Sequence, residues 1–393
     1  MKKYILYFGA ALMIVLASCS KDKVQTNIQP TKDAVSLDMN SNPNDLADRI
    51  ELVNTPVVFK GENLAGLNYT WVANLTPITI NGITLSCSTV DGYGDKAYVG
   101  WHAAGEDVLG EISVISVADP NSPLLIQDKF FPSQEFNDIE VKANVGRIYF
   151  AGGAAQSYVT GQPAGDYAAL AWSANLLSDG KVGDLNWERL INAYSANSIT
   201  YVNNQSVWIS TGAHGGLKVI KDNDPDNVKV DEAINNVKHF DATGEYGVLL
   251  YGVGYNESVV RVYDMTSDIY NYVAEYTIPY DVTALGKNAV DINHEFAYLA
   301  MGNDGIVKVN LTNGNVENVF DLENGGFANG VTVDFQHVYA AYGKDGLYVL
   351  DKNSFTVLGH WDYDGSCNYV KKVGDFIYIA NGNVDGMIIL RKD

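Results

Sequence analysis

Three cysteines in 393 residues are too few to staple a chain of this length, so the fold must rest on a hydrophobic core. Basic side chains are scarce as well: 26 Lys and Arg stand against 47 Asp and Glu, a formal charge of −21. Such a chain opposes a phosphate backbone instead of neutralising it, which excludes nucleic acid as an expected partner. Proline is rare, 10 residues against 37 glycines, and the turns therefore fall to glycine. After the first residues no apolar stretch approaches the roughly 18 residues of a spanning helix. Reactive motifs are missing too. There is no Gly-x-Ser-x-Gly elbow, no phosphate loop and no Gly-x-Gly-x-x-Gly after a strand, so hydrolase and nucleotide readings lack their signatures. The six histidines, at 102, 214, 239, 294, 337 and 360, have no metal-ligand spacing. What remains is a chain that is 47% hydrophobic, with 25 Tyr, 13 Phe and 6 Trp among abundant Val, Asn and Gly, a mixture that favours short strands and tight turns.

The N-terminus reads as an address. Lys2 and Lys3 precede an apolar run from Tyr4 to Leu16, too short to span a bilayer and suited to a signal-peptide core. It ends in Leu16-Ala17-Ser18-Cys19, which resembles the lipobox of bacterial lipoproteins. That resemblance implies cleavage after residue 18, acylation of Cys19 and an outer-membrane address in the cell envelope, facing the periplasm or the surface. Loss of the two lysines takes the formal charge to −23. Residues 19–55 are polar and rich in Asn, Asp and Ser, as expected of a flexible spacer between membrane and domain.

From residue 56 to 393 one unit recurs: an alternating apolar strand, a turn, a strand centred on an aromatic, a Gly-bearing turn and a strand of the form Gly-Leu-x-Val-Ile. The second strands carry Tyr98, Tyr149, Trp208, Leu250, Tyr298, Tyr339 and Tyr378, spaced by about 47 residues on average, the length of a four-stranded propeller blade. Asp304-Gly305, Asp345-Gly346 and Asp385-Gly386 are tight-hairpin dipeptides. The spacing predicts an all-β, seven-bladed β-propeller of four-stranded antiparallel blades. The last repeat stops after three strands, so Tyr69–Leu75 is expected to close the ring as the outer strand of blade seven. Asn137, Asn197, Asn288, Asn329 and Asn368 open first strands and are expected to bond local backbone where the chain crosses between blades. Gly346-Leu347-Tyr348-Val349-Leu350-Asp351 and Gly216-Leu217-Lys218-Val219-Ile220 resemble the third strand of the LVIVD family of bacterial propellers over about residues 69–393. That resemblance implies a lipid-anchored seven-bladed ring and brings no catalytic residues with it.

Candidate sites follow from this register. The insertions between second and third strands of blades one, two and four hold Trp101, His102, Glu106, Gln156, Tyr158, Asp166 and Tyr255. Aromatic rings with amides or carboxylates suit a glycan or a peptide, with Trp101 and Tyr158 as stacking platforms. The expected role is thus a non-enzymatic binding or protein-interaction module without a cofactor, its partners the membrane and an envelope protein or glycan. The alternative is a metal-dependent lactonase or lyase with a channel cation on Glu140, Asp241 or Asp291. These share one first-strand position, occupied by Thr89, Thr200, Thr332 and Lys371 elsewhere. Asp222–Asp226 begins like a calcium loop but has Asn227 at the sixth position and Ala233 at the twelfth, so a plain turn is expected. Cys87 and Cys367 fall on adjacent blades, where a disulfide could staple the closure.

Overall fold

A computed structural model describes residues 39–61, 66–105, 107–155, 158, 167–202, 205–212, 214–267, 270–282, 287–322 and 325–393. Seven antiparallel sheets follow one another along the chain. Their innermost strands are Ile83–Tyr93, Gln134–Lys142, Ala196–Val202, Val237–Ala242, Val290–Asn293, Gly330–Val333 and Tyr369–Val373, for blades one to seven. Each is followed by second, third and outer strands moving away from the axis. The fold is the seven-bladed propeller that the repeat predicts.

Blade seven is completed by Tyr69–Leu75, which pairs antiparallel with Gly386–Lys392, from Tyr69 opposite Lys392 to Leu75 opposite Met387. The first part of the domain thereby closes on the last and removes the open edge. Gly386 shows why the turn residue is fixed. Its φ is +71°, and a Cβ there would lie 2.2 Å from the Leu75 carbonyl oxygen of the closing strand. Gly305 and Gly346 stand in the same relation to the outer-strand carbonyls of Phe320 and Trp361, at 2.1 and 2.3 Å. Glycine thus meets two demands at once, a left-handed backbone and a close approach.

The segment expected to be a flexible spacer is built into the ring from residue 39 onward. Asn40 bridges Asp128 on the outer strand of blade one, Leu46 is buried in the core, and Ile50–Pro56 pairs outside Tyr69–Leu75 as a fifth strand. Arg49 fastens it. Its Nη2 donates to the Thr76 carbonyl at 2.9 Å, its Nη1 pairs with Glu111 and lies 3.4 Å from Asp128, and its guanidinium sits 5.6 Å from the Trp101 ring centre. Most side chains of Ile50–Pro56 face solvent, so the strand is held by backbone bonds and lacks the alternation that marks a half-buried strand. Cys19 and the rest of the segment up to residue 38 lie outside the described residues.

Between blades, the core is made by the two faces of the second and third strands. Tyr98, Tyr149, Trp208, Tyr298, Tyr339 and Tyr378 are all fully buried. Each stands directly opposite a channel position of its inner strand: Asp91, Glu140, Thr200, Asp291, Thr332 and Lys371. One aromatic therefore marks the register of the axial wall in six blades; in blade four Val248 stands opposite Asp241, and Leu250, the residue expected there, lies opposite His239.

Candidate functional site: the axial channel and the crossover face

Each inner strand pairs with its own blade on one edge only, which leaves N–H groups pointing toward the neighbouring blade and the axis. Buried donors of this kind need acceptors. The channel side chains supply them. Asp91 accepts from the Val141 N–H at 2.8 Å, Asp138 from Ile199 at 2.9 Å, Glu140 from Tyr201 at 2.5 Å, Ser198 from Phe240 at 2.8 Å and Asp291 from Val333 at 2.8 Å. His239 Nδ1 takes a longer contact of 3.4 Å from Val290. In every case the acceptor belongs to one blade and the donor to the next. Asn137 and Asn197 also work across blades, donating to the Ala196 and Val237 carbonyls at 3.1 and 3.0 Å. The local backbone bonds expected of them are replaced by inter-blade ones, whereas Asn288 does donate within its own blade, to Ala300 at 3.1 Å.

Five carboxylates, Asp91, Asp138, Glu140, Asp241 and Asp291, share the axis with three lysines. Lys142 lies 2.7 Å from Glu140 and Lys371 3.6 Å from Asp91. Lys287 crosses the channel, donating to the Asn137 carbonyl at 2.7 Å with its ammonium 5.1 Å from the Tyr369 ring centre. Burial raises the carboxyls: Asp138 and Asp241 are each pushed up to about 7, and Glu140 and Asp291 rise as well. Burial also lowers Lys287 to about 8, while the Asp91 charge holds Lys371 well above the ordinary lysine range. The cavity left among these groups is about 40 Å³, far below the roughly 300–1,000 Å³ of a small-molecule site. It has room for little more than a water molecule.

Glu140, Asp241 and Asp291 do face this one channel. Glu140 is engaged by Tyr201 and Lys142, Asp291 by Val333, and Asp241 accepts from its neighbour Ala242 at 2.8 Å. Among the described residues no group of three or more His, Cys, Asp and Glu side chains is arranged to hold a metal ion. The blade-one member of the series is Asp91 and not Thr89, because Asp91 stands opposite Tyr98 whereas Thr89 stands opposite Gly100. Sequence reasoning missed Asp91, Asp138 and Lys287. Counting back from the aromatic opposite each position would have found the first.

The loop residues fare differently. Trp101 is wholly buried within the strand Lys96–Ala103, its indole N–H donating to Ser113 at 3.1 Å, so it is no exposed platform. His102 pairs with Gly110 on the same ladder, and burial lowers its imidazole to about 4. Tyr158 is half-buried and donates to Glu188 at 2.9 Å. Tyr255, in contrast, is 87% exposed at the tip of the hairpin formed by Tyr246–Gly254 and Glu257–Asp264. Glu106, Gln156 and Asp166 lie outside the described residues. Three exposed apolar side chains on the same face went unpredicted: Tyr194 on the crossover into blade three, Val253 beside Tyr255, and Val384 in the blade-seven hairpin.

Cys87 and Cys367 are separate buried thiols, so the disulfide that adjacent blades could have allowed is not formed. Cys87 bridges Gly382 of blade seven, and Cys367 bridges Gly343 of blade six. Each therefore sits on a different inter-blade seam, with blade seven between the seams. Asp222 and Asp224–Ala233 form the expected turn and a strand, and Asp222 accepts from the Trp187 indole at 3.0 Å.

These features define a seven-bladed β-propeller with a carboxylate-lined axis. The solved structures it resembles include the WD40 β-propeller domain of Doa1, with a TM-score of 0.52 and 10% identity over 81% of this chain and 97% of that one. Another is the computationally designed Ika8 protein, at 0.50 and 9% identity over 87% of this chain and 98% of that one. At such identities the likeness concerns the fold alone. No protein-family model matches the chain, and no curated protein matches it.

Proposed function

We propose that the chain is a lipid-anchored, LVIVD-type propeller of the cell envelope that acts as a non-enzymatic protein-interaction module through its crossover face. Propeller domains commonly mediate protein interactions. The observation that carries the reading is Tyr255, 87% exposed at the tip of a hairpin whose ladder runs from Tyr246 opposite Asp264 to Gly254 opposite Glu257 with a bulge at Val253, and Val253, Tyr194 and Val384 are exposed on the same face. Tyrosine is enriched at the centre of protein interfaces. The channel supports this reading by its size, about 40 Å³, and by the commitment of its carboxylates to backbone donors. The anchor rests on Lys2, Lys3, the apolar run and the Leu16-Ala17-Ser18-Cys19 box.

Crosslinking and pull-down from native membranes tests both halves. The expected result is a specific envelope protein captured by the parent chain and lost with Tyr255→Ala combined with Val253→Ser, but kept with Phe335→Ser, an 88% exposed side chain on the opposite face, in the turn between Gly330–Val333 and His337–Ala341. Capture that survives the crossover-face variant overturns the interface. Membrane retention and fatty-acyl labelling that survive Cys19→Ser overturn the anchor.

A further inference from the structure

The face opposite the crossovers carries a cavity of about 350 Å³ between blades four, five and six, lined in part by Glu245, Glu295, Phe296, Tyr298, Lys308 and Lys352. Its volume is within the range of small-molecule sites. Lys308 is the unusual member. It stands on the third strand of blade five, opposite Tyr298, and is only 7% exposed. Among the described residues its ammonium has one hydrogen-bond acceptor, the Lys352 carbonyl at 3.2 Å, although an ammonium carries three donors. Aromatic faces take part of the remaining charge: the ring centres of Phe296, Tyr298 and Phe355 lie 4.3, 5.8 and 5.9 Å away. Lys352 reaches the Asp334 carbonyl at 3.0 Å and has donors to spare. Burial depresses Lys308 below the ordinary lysine range, and the Lys352 charge adds to this, against the opposing pull of Glu317 and Asp351.

Two ammonium groups thus line the cavity with two carboxylates, Glu245 and Glu295, and an aromatic wall. A phosphate or dicarboxylate would meet the two lysines but be repelled by the two glutamates, and a simple cation would meet the reverse. A ligand that carries one charge of each sign and an apolar body matches both pairs of charges and the aromatic wall. We propose that this cavity binds a free amino acid with an apolar side chain, its carboxylate on Lys308 and Lys352, its ammonium toward Glu245 and Glu295 and its side chain against Phe296 and Tyr298.

Calorimetric titration of the full chain with L-leucine, L-leucinamide and N-acetyl-L-leucine tests it. The expected result is saturable binding of leucine, weakened about tenfold or more when either the carboxylate or the ammonium is blocked. Lys308→Met should abolish it. Because Lys308 is buried, Glu295→Gln, at an exposed position, provides a second variant that leaves the core untouched, and it should weaken leucine by about tenfold with unchanged melting. No heat with leucine at millimolar concentration, equal binding of N-acetyl-L-leucine, or unchanged affinity in the Glu295→Gln chain overturns the proposal.

Discussion

Asp138 carries two opposing demands. Its carboxylate satisfies the buried Ile199 N–H of the next blade, yet burial raises its pKa to about 7, against an unfolded value near 3.9. The folded chain therefore holds a proton that the unfolded chain releases. The contribution is fully favourable below about pH 4 and is lost as pH rises through about 7; Asp241 acts in the same direction. Lys287, lowered to about 8, acts in a separate window above that pH, where its deprotonation favours the fold. Asp138→Asn should consequently flatten the fall in melting temperature between pH 4 and 7 while keeping an acceptor for Ile199. Asp138→Ala should cost about 1–3 kcal/mol through the orphaned N–H. Melting curves at several pH values check both, and an unchanged slope in the Asn variant contradicts the account. This role was not legible in the sequence. An inner-strand acid looks the same whether its partner is a metal ion or a backbone N–H on the next blade some 60 residues later, and a backbone donor leaves no side-chain signature.

Segments of the chain were legible in proportion to how far side chains, not backbone, hold them. Tyr69–Leu75 shows itself by alternation and by the missing fourth strand of the last repeat, and it closes blade seven as predicted. Ile50–Pro56 gives no such signal, because its side chains point mostly to water and its attachment depends on Arg49 a residue before it. Glu111 is 1% exposed and pairs with that guanidinium, and burial, opposed by Arg49, leaves its pKa raised. Trp101 is hidden for a related reason: its sequence resembles the start of an insertion, whereas the strand runs through it to Ala103 and its ring packs beneath Arg49. Arg49→Met should cost about 3–5 kcal/mol, the penalty of a buried charge left without its partner. The combination with Glu111→Gln should recover a large part of that loss. Denaturant unfolding of the two single variants and the double variant measures the coupling. Additive losses would mean that Arg49 acts only through packing.

The ring as a whole is a chain of seams, and the two thiols report on two of them. Cys87 lies on the seam between blades seven and one, where its N–H donates to Gly382 at 2.9 Å. Cys367 lies on the seam between blades six and seven, exchanging backbone bonds of 2.7 and 2.9 Å with Gly343. Burial pushes the Cys367 thiol up to about 12 and Cys87 still higher, so neither forms an appreciable thiolate near neutrality. A closed ring whose blades share one continuous set of inter-blade bonds should open as a unit, since parting blade seven from either neighbour exposes buried faces and orphans the backbone groups that bond across the seam. In a chain lacking Cys19, a thiol reagent should therefore label neither cysteine in the native state. It should count two thiols after unfolding without reductant, and along a denaturant series both should become reactive at the same midpoint as the loss of strand signal. Early labelling of Cys87 alone would show instead that the ring parts first between blades seven and one, and that the N-terminal closure is its weakest seam.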